Sequence, residues 1–309
     1  MSEANPIRNV SDTALWVAMF RATESERPDA LFHDPYARRL AGERGAAIVA
    51  SMPGGKANAW PMVVRTAVMD EIVMRCVREG AATVLNLAAG LDARPYRLFL
   101  PPTLRWMHVD LPEMLDYFRT QMDGETAHCK VEFIAADLRD ADARRDVFSR
   151  AAGRGPVLVI TEGLLIYLEA EQVADLARDL HDIARAHWWM SDLASPMLLK
   201  FLARRWQPKL EEGNAPFRFG PSEGTGFFAP FGWREAEFRS SWDESWRLKR
   251  TMRFAWLWRI LSTFQSRQRQ IDGRRMSGIV LLESDGEFGA DEDVESDNDN
   301  DNVDSEHAQ

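Results

Sequence analysis

Apolar residues recur at two different periods along this chain, and the change of period maps its architecture. Five short apolar runs, 83–87, 104–109, 131–136, 156–161 and 187–192, have the length and composition of buried strands. Between them, 111–122, 141–150 and 169–186 read as helices. In the last of these Val173, Leu176, Ala177, Leu180 and Ile183 fall at helical spacing. Buried strands alternating with helices predict an α/β fold, a mostly parallel sheet with helices on both faces and right-handed connections. Upstream, Met62, Val63, Met69, Ile72, Val73, Cys76 and Val77 give a helix from Pro61 to Glu79 its apolar face, and Gly80 ends it. A weaker stripe, Leu15 and Met19, predicts a helical arm after a possible Ser11 or Asp12 cap, and Leu31 to Leu40 reads as a second helix.

Alternation stops near Ser195. Residues 195–265 are rich in aromatics and interrupted by Pro208, Pro216, Pro221 and Pro230, which predicts helices and loops forming a cap over the sheet. Within it, Arg247 to Ile260 fits strand or helix equally. Gly278 to Leu282 reads as a last strand. The expected division is an N-terminal helical arm and lid over 1–60, a sheet domain over 61–283 with the cap inserted at 195–265, and a tail over 284–309.

Charge changes the picture only through that tail. The formal net charge is −10, but 11 of the 48 acidic residues fall in 284–309, leaving 37 against 38 basic residues elsewhere. The body is near neutral and nucleic acid is not an expected partner. The tail, dense in Asp, Asn and Glu, reads as disordered. Asp297, Asp299 and Asp301 imitate the start of a calcium loop, yet Asn302 and Ala308 stand where its glycine and bidentate glutamate belong, so no metal is expected. The most apolar segment, Val157 to Leu168, is interrupted by Glu162 and falls short of the ~18 residues of a span, so no membrane partner is expected. Cys76 and Cys129 lie in separate segments, and the first residues lack a basic-then-apolar signal; both point to a reduced, cytoplasmic protein.

The candidate chemistry sits at the end of the first strand-like run. After Thr83–Leu87, Ala88, Ala89 and Gly90 remove side-chain bulk, and Pro95 suits the first turn of a helix. Twenty residues beyond Gly90, Asp110 ends the next strand, where a ribose diol is usually held. A dinucleotide needs close backbone approach to its pyrophosphate, normally through three glycines, and this turn has one. S-Adenosylmethionine carries no phosphate, so a looser small-residue turn suffices. Spacing therefore favours the methyl donor over NAD(P).

The strings Arg65-Thr66 with Asp70, Leu87-Ala88-Ala89-Gly90-Leu91-Asp92-Ala93-Arg94-Pro95-Tyr96-Arg97 and Val109-Asp110-Leu111-Pro112 resemble the leucine carboxyl methyltransferase-like family, which includes polyketide O-methyltransferases. Asp34-Pro35, Ala136-Asp137-Leu138-Arg139, Thr161 to Leu168, Phe231-Gly232-Trp233 and Ser277-Gly278 extend the similarity from about residue 10 to 283. Ala88 departs from it, since many members have Gly there. The resemblance implies a class I, Rossmann-like methyltransferase fold with S-adenosylmethionine as cofactor. It also implies roles. Arg65 pairs with the cofactor carboxylate, Gly90 admits the methionine part and Asp110 takes the ribose hydroxyls. Asp137 and Leu138 hold the adenine, and Glu162 faces the amino group. Asp92 and Arg94 brace the loop.

The expected reaction is methyl transfer to an oxygen of a small acceptor, such as a polyketide or carboxylic acid. A carboxylate is ionised at neutral pH and needs no general base, whereas a phenol (pKa ~10) does. No histidine falls in a motif; His33, His108, His181 and His187 read as structural or exposed, which leans toward a carboxylate and leaves the catalytic residues unassigned. Tyr167, Phe227, Phe228 and Trp233 are candidates for lining the acceptor pocket. The competing classes are an NAD(P)-dependent oxidoreductase and a non-catalytic S-adenosylmethionine-binding protein. Neither charge nor motif specifies an oligomeric state.

Overall fold

The centre of the molecule is a seven-stranded sheet in the order β3-β2-β1-β4-β5-β7-β6. A computed structural model describes residues 12–51, 59–153, 155–202, 204, 216–264 and 266–286. The strands are β1 (Thr83–Leu87), β2 (Arg105–Asp110), β3 (Lys130–Ala135), β4 (Val157–Thr161), β5 (Trp188–Ala194), β6 (Trp233–Ser240) and β7 (Ser277–Ser284). β1 to β5 are parallel, and β7 runs antiparallel between β5 and β6. Every residue of β1 and β4 is buried, as expected of strands covered on both faces.

Two helical layers do the covering. Helix α3 (Trp60–Arg78) packs Val64, Val68, Ile72 and Cys76 against Val84, Trp106, Leu158 and Met190. On the other face α6 (Ala141–Ala151) and α7 (Ala170–Asp182) meet Leu85, Leu87, Val159 and Trp189. Helix α7 starts where Glu169 and Gln172 form a reciprocal capping box. Helices α1 (Asp12–Ser25) and α2 (Ala37–Ser51) share a third cluster with α5 (Pro112–Gln121), built on Leu15, Met19, Leu40, Ile48 and Phe118. A single turn, α4 (Arg94–Arg97), follows β1 with Pro95 inside its first turn. Beyond β5 lie a helical stretch over 196–202, then α8 (Ser241–Arg247), α9 (Ala255–Thr263) and α10 (Arg267–Arg274).

Three sequence expectations change. The helix expected from Leu31 begins only at Ala37, because Asp34 makes a turn that accepts the Tyr36 N–H, with Pro35 inside it. Residues 233–240, expected within the cap, form β6 at the sheet edge. Its charged, half-exposed residues hid the strand pattern, and a register shift between Glu235 and Glu237 broke the alternation. The ambiguous stretch after Arg247 resolves into a turn followed by α9. The acidic tail beyond 286, the calcium-like triplet and Ser11 lie outside the described residues.

The strand order reverses between β1 and β4: from β1 the chain moves to β2 and β3, from β4 to β5. In open α/β sheets ligands settle beyond the carboxyl ends of the strands at such a switch point.

Candidate functional site

A cleft of about 2450 Å³ opens over the carboxyl ends of β1, β2, β4 and β5. Arg65, Gly90, Asp110, Asp137, Leu138 and Glu162, the six residues singled out from the sequence, all line it. They come from five separate stretches, so the tertiary structure brings together what the chain keeps far apart.

The turn after β1 is shaped by left-handed backbone. Gly90 has φ +52°, and a Cβ there would come within 3.2 Å of Ala14 Cβ on α1. Ala88, the departure noted in the sequence, also takes a left-handed φ of 49°. A methyl group in that conformation costs about 1 kcal/mol, which is the physical reason glycine suits the position. Asp110 closes the turn from β2. Its two carboxylate oxygens accept the Gly90 and Leu111 N–H groups, each at 2.7 Å. Burial raises the carboxyl above its ordinary range, and these two donors offset only part of that rise. Each oxygen keeps a further lone pair for a ligand hydroxyl.

Behind the turn lies a lattice of buried ion pairs. Arg94, 2% exposed, reaches Asp70 at 2.7 Å, Asp92 at 2.7 Å and Glu162 at 2.8 Å. Arg97 grips both oxygens of Asp70 at 2.7 Å. Asp34 receives Arg21 at 2.8 Å, and Arg21 donates to the Leu91 carbonyl, which ties α1 to the same loop. Bracing, the role expected for Asp92 and Arg94, is what the contacts describe. Burial pushes the Glu162 carboxyl up, but Arg94 and Arg65 outweigh it and hold the group at about 2.

Arg65, on α3, stands between Glu162 at 3.0 Å and Asp192 at 3.0 Å. Desolvation opposes its charge, and the two carboxylates overcome it, so the guanidinium is held above its ordinary pKa. Its buried Nε has no hydrogen-bond partner among the described residues, an uncompensated donor at the wall of a cleft. Gly163, at φ +65°, keeps this room: a Cβ there would meet Arg65 Nη1 at 3.2 Å. Asp192 was not anticipated. It closes the strand-like run 187–192 of the sequence, although β5 itself continues to Ala194, and it also accepts the Gly163 N–H at 2.6 Å.

Asp137 and Leu138 follow β3. Asp137 is half-exposed, with Arg139 at 2.6 Å, and that hydrogen bond lowers its carboxyl below the usual range. Leu138 packs against the core beneath it. Tyr167 lines the cleft, packs against Phe217 and hydrogen-bonds Thr13 of α1; burial pushes its hydroxyl to about 12. Phe227, Phe228 and Trp233 do not line the cleft. They pack on the α7 face of the sheet behind Phe219, a cleft-lining residue, where Phe228 and Trp233 meet Trp189 edge-on and Trp233 donates to the Ala177 carbonyl. Their apolar bulk is spent on joining β5, β6 and α7. No histidine is among the described lining residues. His108 is wholly buried under the turn, its Nε2 3.4 Å from the Gly90 carbonyl, and burial lowers it to about 4. Among the described residues no group of His, Cys, Asp and Glu is placed to hold a metal ion, and no helix is long and apolar enough to cross a membrane.

A family model described as leucine carboxyl methyltransferase matches residues 14–181. A protein of Saccharopolyspora erythraea named "Putative S-adenosyl-L-methionine-dependent methyltransferase" is 35% identical over 186 residues, 58% of this chain and 65% of that relative's length. A Mycobacterium tuberculosis protein of the same name is 34% identical over 233 residues, 70% of this chain and 75% of the relative. Among solved structures, a Thermobifida fusca "putative methyltransferase" superposes with a TM-score of 0.54 over 92% of this chain and 97% of its own, at 16% identity. The fold is thus the class I methyltransferase type expected from the sequence.

Proposed function

The chain belongs to the leucine carboxyl methyltransferase family, and from that premise we propose that it is an S-adenosylmethionine-dependent methyltransferase acting on an oxygen of a small molecule, with a carboxylate as acceptor. The observation that carries the cofactor assignment is the pairing across one cleft of Asp110, fixed by two backbone N–H groups, with Arg65, whose buried Nε lacks a partner. A diol and a carboxylate on one ligand match that pair. The residues fit the remaining parts too. Gly90 admits backbone approach, Asp137 and Leu138 hold the adenine, and Glu162 faces the ligand amino group. When bound, the sulfonium supplies an already activated methyl group. The protein's share is to align the acceptor and exclude water.

Two features support a carboxylate over a phenol. Among the described residues no histidine lines the cleft. Of the acidic groups that line it, Glu162 is held by Arg94 and Arg65, and Asp192 by Arg65 and the Gly163 N–H. A carboxylate acceptor needs no proton removed.

Titration calorimetry with S-adenosylhomocysteine and with NAD tests the cofactor. Heat with the former only, abolished in Asp110→Ala, is expected; unchanged affinity in the variant refutes the role of Asp110, and heat with NAD alone refutes the class. Labelled methyl donor offered to carboxylic acids and phenols then tests the acceptor. A base-labile labelled ester is expected, and a base-stable ether would overturn the carboxylate reading. Bound cofactor with no labelled product from either set would favour the non-catalytic alternative.

A further inference from the structure

Helix α9 leaves nearly all of its apolar residues exposed, Trp258 on the cleft side at 60% among them. Trp258, Arg259, Ser262 and Thr263 face the cleft. Trp256, Leu257, Ile260, Leu261 and Phe264, at the complementary helical spacing, face solvent and are 58%, 44%, 49%, 49% and 84% exposed. Only Ala255 of this helix is buried. Phe254, 55% exposed, continues the stripe before the helix. Soluble proteins rarely leave so continuous an apolar surface open to water.

The charge around the stripe identifies what would cover it. Residues 253–275 hold six arginines, Arg253, Arg259, Arg267, Arg269, Arg274 and Arg275, against one acid, Asp272. From neighbouring elements Asp243 approaches Arg274 at 3.7 Å and Glu235 pairs with Arg275. Arg259, over the Trp246 ring, lines the cleft with Arg269 and Arg274, whereas Arg253, over the Phe254 ring, and Arg267 do not line it and stand exposed on either side of the stripe in sequence. The positive charge is local to this segment: outside it and the tail, 32 basic residues stand against 36 acidic ones. An outward aromatic stripe bordered by arginine matches the interface of an anionic bilayer, with apolar rings among acyl chains and guanidinium groups at phosphate level. A protein partner with an apolar groove would explain the stripe but not the arginine fringe.

We propose that α9 and its flanking arginines dock the protein on an anionic phospholipid surface.

The test is vesicle flotation of the full chain. Vesicles of equal parts phosphatidylglycerol and phosphatidylcholine should carry the protein up the gradient, phosphatidylcholine alone should not, and raised salt should weaken the association. Trp256→Ser/Phe264→Ser should lower the bound fraction at least about fivefold, and Arg253→Gln/Arg267→Gln by about two- to fivefold. None of these four side chains lines the cleft, so affinity for S-adenosylhomocysteine should stay unchanged and report intact folding. No flotation with anionic vesicles, or equal flotation of the Trp256/Phe264 variant, overturns the proposal. So does a concentration-dependent dimer in sedimentation velocity that this variant abolishes while vesicles bind neither form, because the face would then belong to a second copy of the chain.

Discussion

On the cofactor side of the cleft, Arg94 is almost wholly buried and bonded to three carboxylates. On the acceptor side, α9 buries one alanine and α10 nothing. The first wall is built from charges that cannot move without losing partners in a low-dielectric interior. It is anchored on α1, α3, β1, β4 and β5 at once. The second wall presents aromatic and arginine side chains on helices with little beneath them. One wall is held rigid by its ion pairs; the other can exchange side chains without disturbing the sheet.

Removing Glu162 should show the contrast at its largest. Glu162→Ala leaves Arg65 and Arg94 buried without a shared anion, and a loss of about 3–5 kcal/mol in unfolding free energy is expected by urea titration. A loss below about 1 kcal/mol would mean the lattice is hydrated and interchangeable with the outer wall.

Acid should act on the same wall. Glu162 sits at about 2 when folded, against ~4.3 for a free glutamate, so the unfolded chain binds more protons between those values. Its contribution is complete above ~4.3 and lost as pH falls through about 2, on the order of 3 kcal/mol. His108, lowered by burial to about 4, has the same sign in a higher window. Its contribution is present above ~6.5 and falls away as pH drops toward that folded value. Urea midpoints measured across pH should decline in both windows, and a flat curve from ~6.5 downward would remove His108 from the account.

A smaller gain is expected within the turn. Ala88→Gly relieves the left-handed Cβ and should raise stability by about 0.5–1 kcal/mol, the glycine's extra unfolded-state entropy offsetting part of the relief. A loss would mean that the methyl group makes a contact worth more than its strain. Smallest of all, Trp256→Ser on the acceptor wall should change stability by no more than ~0.5 kcal/mol. A larger loss would show that α9 is packed into the body rather than lying on it.

Much of the cofactor wall was legible in the chain. The run Thr83–Leu87, the bulk-free turn and Asp110 twenty residues on are local features, and strand, turn and acid follow from them. The acceptor wall was not. Phe227, Phe228 and Trp233 read as pocket aromatics and prove to be core, because an aromatic side chain carries no mark of which side of a sheet it will cover. Residues 233–240 hid an edge strand, since one face of an edge is wet and charged. Asp192 escaped notice, since it lies within β5, two residues before the strand ends at Ala194, whereas Glu162 directly follows β4.

By itself the sequence determined the alternation of strands and helices, the parallel core and a set of residues at strand ends and turns that line one cleft. Each of these depends on periodicity or on backbone freedom within a few neighbouring residues. Only the tertiary structure decided that Arg65 is shared by Glu162 and Asp192, that Arg94 and Arg97 converge on Asp70, and that the apolar face of α9 points outward. Those outcomes depend on where residues tens to hundreds of positions apart arrive in space, and electrostatic pairing and exposure are set by that arrival rather than by anything local in the chain.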